Sequence, residues 1–137
     1  MLLTRKAEFS ASHSCYNKAL SENQNLELYG ELEGSFGHGH NYEIEVTVEG
    51  EPDPVTGMVV DLKLLKEVIS SQVLDPMDHK HLNYEVPPFD KVVPTAENLV
   101  KEIWRRLDAH LTFENARLYS VRLYETSDLY VDYGGPQ

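Results

Sequence analysis

Strict alternation of apolar and polar positions marks the clearest elements of this chain. In residues 40–49, Tyr42, Ile44, Val46 and Val48 fall on one parity and Glu43, Glu45, Thr47 and Glu49 on the other. Residues 3–13 alternate in the same way, with Leu3, Ala7, Phe9 and Ala11 against Thr4, Lys6, Glu8, Ser10 and Ser12. A period of two describes a strand with one covered face. Between these strands, residues 14–37 are polar and interrupted by Gly30, Gly34 and Gly37, which reads as a long irregular connection.

The period changes after the proline-rich turn at 50–57. Asp61 suits the N-cap of a helix over about 62–73, with Leu62, Leu65, Val68, Ile69 and Gln72 on one stripe. A second helix starts at Thr95 behind Pro94 and carries Leu99, Ile103, Leu107 and Leu111 on its stripe. Two further strands follow: 118–125, with Tyr119, Val121 and Leu123 on one parity, and 129–133. The predicted order is β-β-α-α-β-β, an α+β fold with an antiparallel sheet and two helices on one face, in a single domain over 1–137. Four strands leave two open edges, and association edge to edge removes them, so an oligomer is expected.

Composition narrows the function. Twelve Lys and Arg against 23 Asp and Glu give a net charge of −11, which repels nucleic-acid phosphates and anionic lipid. No apolar run approaches the roughly 20 residues that span a bilayer. Arg5, Lys6 and Glu8 stand where a secretory leader needs its apolar stretch, so a cytoplasmic location is expected. A single cysteine, Cys15, excludes an intrachain disulfide and leaves any metal site to histidines and carboxylates.

Three histidines gather at one end of the predicted sheet. His38 and His40 are two apart and share the parity of Tyr42 and Ile44; His13 ends the first strand on its apolar parity. Spacing leaves two readings open: hydrogen-bonded histidines on an apolar face, or three ligands of a zinc site with a free coordination position. Asp78 and His79 in the interhelical segment form either a polar loop or a carboxylate-oriented acid–base pair. Glu125, at the end of an apolar parity row, is either exposed or placed to accept two adjacent N–H donors from a ligand.

Joint occurrence of these segments resembles a known family. Residues 9–13 read FSASH and residues 37–42 read GHGHNY. In order there follow Thr56 and Gly57 with Asp61, then Asp78, His79 and Lys80 with Leu82 and Asn83. Pro94 and Thr95 with Glu97 and Asn98 come next, and then Tyr124, Glu125 and Thr126. The set is similar to the 6-pyruvoyltetrahydropterin and 6-carboxytetrahydropterin synthases and covers about residues 5–133. The resemblance implies a tunnelling fold in which trimers close a barrel and two trimers stack as a hexamer, with active sites between subunits. It implies zinc on His13, His38 and His40, a pterin ring anchored by Glu125 with Thr95 and Glu97 nearby, and an Asp78–His79 relay. The implied reaction is conversion of 7,8-dihydroneopterin triphosphate to 6-pyruvoyltetrahydropterin with loss of triphosphate. Lys80, Arg105 and Arg106 are candidate triphosphate partners.

One departure stands out. The family's catalytic cysteine precedes the GHGH segment, and its position falls on Leu32, which accepts no proton. Cys15 reads as a small buried hydrophobe. Glu33 is the candidate replacement base and Glu31 the second choice, unless both are simply solvated loop charges. A family branch with a glutamate near the lost cysteine makes 6-hydroxymethyl-dihydropterin. Two more activities stay open on the same resemblance. One is the 6-carboxytetrahydropterin reaction of queuosine biosynthesis, and the second is pterin binding by a catalytically silent paralogue.

Overall fold

Alternation carries β1 (Leu2–His13) and β2 (His38–Gly50) into an antiparallel ladder running from Leu2 opposite Glu49 to His13 opposite His38. One face of this ladder buries Phe9, Ala11, Tyr42, Ile44, Val46 and Val48. The other face is polar, with the Thr4 and Thr47 hydroxyls 2.7 Å apart and the Ser10 hydroxyl donating to Asn41 at 2.7 Å. The computed structural model describes residues 1–32 and 34–137; Glu33 lies outside the described residues.

The α+β class holds, and the sheet gains a strand. β3 (Lys80–His81) pairs in parallel with Ala11 and Ser12 of β1, while β4 (Ala116–Thr126) and β5 (Leu129–Tyr133) extend the other side. The order is β3-β1-β2-β4-β5. Two residues are too short to show a period, so β3 has no signature in the pattern. In β4 a bulge opposite Thr47 and Val48 skips Tyr119. An extra residue reverses the parity on one side of a bulge. Leu118 is therefore buried and Tyr119 is 37% exposed, whereas strict alternation places Tyr119 with Val121 and Leu123 on the covered side.

The helices cover one face. α2 (Leu62–Ile69) is capped by the Asp61 carboxylate, which accepts from the Lys63 amide at 2.9 Å. It runs into a π turn (Ser70–Leu74) and then α3 (Asp75–Met77). The wider turn adds one residue to the pitch. The inward positions after Ile69 are consequently Val73 and Met77, both fully buried, rather than Gln72. α5 (Ala96–Asp108) packs against β4, β5 and the π turn, burying Leu99, Ile103, Trp104 and Leu107.

The connection 14–37 holds a helix, α1 (Glu22–Tyr29), with a Ser21–Gln24 capping box and a left-handed Gly30 at its end. It lacks an apolar stripe. Its one buried residue is Asn25, which bonds Asn17 through both backbone groups, so hydrophobic periodicity could not reveal it. A short α4 (Leu82–Glu85) follows β3. No helix among the described residues is long and apolar enough to cross a membrane.

Arg105 and Arg106 serve the fold. Glu102, buried on α5, accepts from Arg105 Nε at 2.8 Å and Nη2 at 2.7 Å, and from Arg106 Nε at 2.6 Å. Burial opposes its ionisation, but the two guanidinium groups win and hold the carboxyl below its usual 4.5. A lowered native pKa stabilises the fold above the unfolded value and loses that contribution as pH falls through the native one. Glu102→Gln is expected to cost about 1.5–3 kcal/mol at neutral pH. Urea unfolding of both proteins should show the gap closing once pH drops below 4.5.

Candidate metal centre

The register that pairs His13 with His38 brings the end of β1 against the start of β2, and the two-residue spacing adds His40 on the same side. Ring centroids of the three imidazoles lie 4.8, 4.9 and 5.0 Å apart. β4 adds Glu125, because Tyr124 stands opposite Glu43 two residues beyond Asn41. Glu125 Oε1 is 3.0 Å from His40 Nε2 and 3.7 Å from His13 Nε2, and the two Nε2 atoms are 3.1 Å apart. One donor atom from each of His13, His38, His40 and Glu125 lies within 4.8 Å of all the others.

These separations fit a single ion. Bonds of about 2.0–2.2 Å to a tetrahedral centre place neighbouring donors roughly 3.3–3.6 Å apart. The tautomers fit as well. His13 Nδ1 donates to the Pro94 carbonyl at 2.7 Å, which leaves the Nε2 lone pair facing the group. Burial makes the His40 imidazole harder to protonate; Glu125 pulls the other way, and His13 and His38 reinforce the burial. Neutral imidazole is the form that ligates.

Gly37 allows the strand ends to meet. Its φ is +69°, and a Cβ there would lie 1.9 Å from the His13 carbonyl oxygen. Only a residue without a side chain combines that backbone with that approach.

Asp78 and His79 sit beside the centre, outside the donor set. Ser10 donates its amide to Asp78 Oδ1 at 2.8 Å, and its carbonyl accepts from the His79 amide at 2.6 Å, so residues 78–81 close the outer edge of β1. His79 Nδ1 is 3.1 Å from Asp78 Oδ2, at a positive φ of 60°, with its ring exposed. His79 and Lys80 line a groove with His40, Asn41, Ser12 and His81. Of the three cationic candidates, Lys80 alone faces this groove; Arg106 also donates to the Pro87 carbonyl at 2.8 Å.

Thr95 and Glu97 stand at the N-terminus of α5, adjoining Pro94 and hence His13. Thr95 Oγ1 accepts from the Asn98 amide at 3.3 Å as the helix cap, and Glu97 is exposed in the first turn. Two contributors escape the sequence pattern. The Pro94 carbonyl has no sequence signature. Tyr42 reads as an apolar-face residue, yet its buried hydroxyl has no hydrogen-bond partner among the described residues while its ring edges against His13 and His40.

A model of the 6-pyruvoyl tetrahydropterin synthase family matches residues 2–136. The chain belongs to this family. It is 46% identical over 133 residues to a 6-pyruvoyl tetrahydrobiopterin synthase of Pongo abelii, covering 97% of this chain and 90% of the relative. Identity to the Homo sapiens protein of that name is 45% over 133 residues, with the same coverage. The solved structure of Caenorhabditis elegans 6-pyruvoyl tetrahydropterin synthase superposes with a TM-score of 0.92 at 37% identity, covering 99% of this chain and 96% of that one.

Within the family's site, the segment before the GHGH motif is where this chain departs. Leu32 is partly exposed and brings no acid–base chemistry. Cys15 is half-buried, and burial, followed by the charges of Glu31, Glu125 and Glu97, pushes its thiol up to about 11. A thiol held protonated is neither base nor ligand at neutral pH. Glu31 is no solvated loop charge: its carboxylate meets His38 Nδ1 at 3.1 Å and accepts from the Cys15 amide. The candidate base Glu33 lies outside the described residues.

Proposed function

We propose that this chain is a zinc-dependent lyase that converts 7,8-dihydroneopterin triphosphate to 6-pyruvoyltetrahydropterin with release of triphosphate. The observation that carries the reading is the convergence of three imidazoles and Glu125 within 4.8 Å, in a chain belonging to this family. Three neutral nitrogens and one oxygen suit zinc among the available divalent ions. Zinc, when bound, supplies Lewis acidity to the hydroxyl oxygens of the substrate side chain.

The protein supplies the rest. His13, His38 and His40 hold the metal, and Glu125 accepts two adjacent N–H donors of the pterin edge, fixing the ring beside it. Thr95 and Glu97 border the ring from the start of α5. Glu33 takes the carbon-bound proton, and the Asp78–His79 pair carries a proton between side-chain oxygens, the carboxylate stabilising the imidazolium that forms. Lys80 meets the departing triphosphate, a cation placed against the chain's own negative field. The working form is a cytoplasmic homohexamer of two stacked trimers, which covers the outer edges of the sheet.

Product analysis tests the proposal. Zinc-loaded protein is incubated with 7,8-dihydroneopterin triphosphate, the products are read by mass spectrometry, and the oligomer is measured by light scattering. The expected result is the 6-pyruvoyl product from a hexamer. A 6-hydroxymethyl product would move the chain to the side-chain-cleaving branch. Substrate bound but unchanged would make it a silent paralogue, and substrate left unbound would overturn the pterin reading.

A further inference from the structure

Each ligand of the centre needs something to hold its ring, and the three are held differently. His13 is enclosed by the core, with a neutral carbonyl on Nδ1. His40 is 15% exposed. His38 is the first residue of β2 and its side chain is 54% exposed, so packing alone leaves its ring free to turn. What faces it is Glu31, only 13% exposed, with Oε1 3.1 Å from His38 Nδ1. The second carboxylate oxygen accepts from the amide of Cys15, two residues beyond His13. One side chain thus ties the segment leaving β1 to the ring entering β2.

We propose that Glu31 is a positioning residue for the metal centre: its carboxylate fixes His38 with Nδ1 protonated and Nε2 facing the ion. The inference rests on the metal reading above. A carboxylate behind a ligating histidine raises the basicity of the coordinating nitrogen, and losing such a partner typically costs 10–100-fold in metal affinity. The exposed ligand has the anionic partner, while the enclosed one makes do with a peptide carbonyl. Glu31 therefore does for His38 what burial does for His13. Nothing in the helix or strand pattern marks it, since it stands in the connection between α1 and β2.

The test is zinc affinity by competition with a chromophoric chelator, on wild type, Glu31→Gln and Glu31→Ala. Glutamine keeps an acceptor for the Cys15 amide and removes the charge facing His38. The expected result is a roughly tenfold or greater loss of zinc affinity in Glu31→Gln and up to about 100-fold in Glu31→Ala. The metal-free melting temperature of Glu31→Gln should match wild type. Cobalt-loaded variants should show a shifted visible spectrum, which a purely structural role would not produce. Wild-type affinity in both variants would overturn the assignment, as would a zinc loss in Glu31→Gln that only follows lost folding. Wild-type protein that takes up no zinc would overturn the metal reading itself.

Discussion

His13→Ala is expected to abolish stoichiometric zinc uptake and, with it, turnover. His13 is the donor nearest the geometric middle of the group: it faces His40 across 3.1 Å and Glu125 across 3.7 Å, and its ring packs within 4.8 Å of His38. Removing it leaves two imidazoles and one carboxylate, one of those imidazoles largely exposed. The loss should exceed the roughly 10–100-fold that follows removal of a partner outside the donor set. Metal analysis of purified protein, with calorimetric titration of zinc into the metal-free form, measures it. The variant also frees the Pro94 carbonyl, so a parallel melting curve is needed to separate lost coordination from lost packing. Full zinc occupancy in a folded His13→Ala protein would remove the residue from the centre.

Gly37→Ala is expected to damage the fold and the centre together. A left-handed backbone costs an L-residue roughly 1–2 kcal/mol, and at Gly37 a Cβ would also sit 1.9 Å from the His13 oxygen. The strand ends must then separate, carrying His38 away from His13. Gly30→Ala is the internal control: its φ of +73° carries the same backbone cost, with nothing within 4 Å of the added carbon. For a chain of this size 1 kcal/mol moves the melting temperature by about 3–5 °C. Gly30→Ala should fall by roughly one such step, and Gly37→Ala by at least twice that, with weakened zinc binding only in the second. Equal losses at both positions would mean that the close approach at His13 carries no energetic weight.

Legibility in the sequence follows the length and regularity of each signal. β1, β2 and α5 carry long uninterrupted periods, and their inward residues are those the periods name. Leu118 and Tyr119 exchange places because a bulge is a single residue that leaves both flanking periods intact. Gln72 gives way to Val73 for the analogous reason in a helix. α1 has its caps written at Ser21, Gln24 and Gly30, but it buries an asparagine, and a search for apolar stripes passes over it. In the site, parity alone brings His13, His38 and His40 to one side. The contacts of Glu31 and Pro94 come from connecting segments, whose positions depend on the whole fold rather than on neighbours in the chain.

The π turn at Ser70–Leu74 has a consequence for how the chain tolerates changes in length. Each α-helical residue turns the chain by about 100°, so deleting one residue there would restore the ordinary pitch and rotate everything after it. Met77 would leave the core, and Asp78 would swing away from the Ser10 amide that it now accepts from. The groove beside the metal centre is closed by residues whose angular position is counted from inside a distant helix. The exposed hairpin at 51–58 has no such dependence and can lengthen without consequence for the site. In this fold the residue count of one helix sets the aim of an acid–base pair.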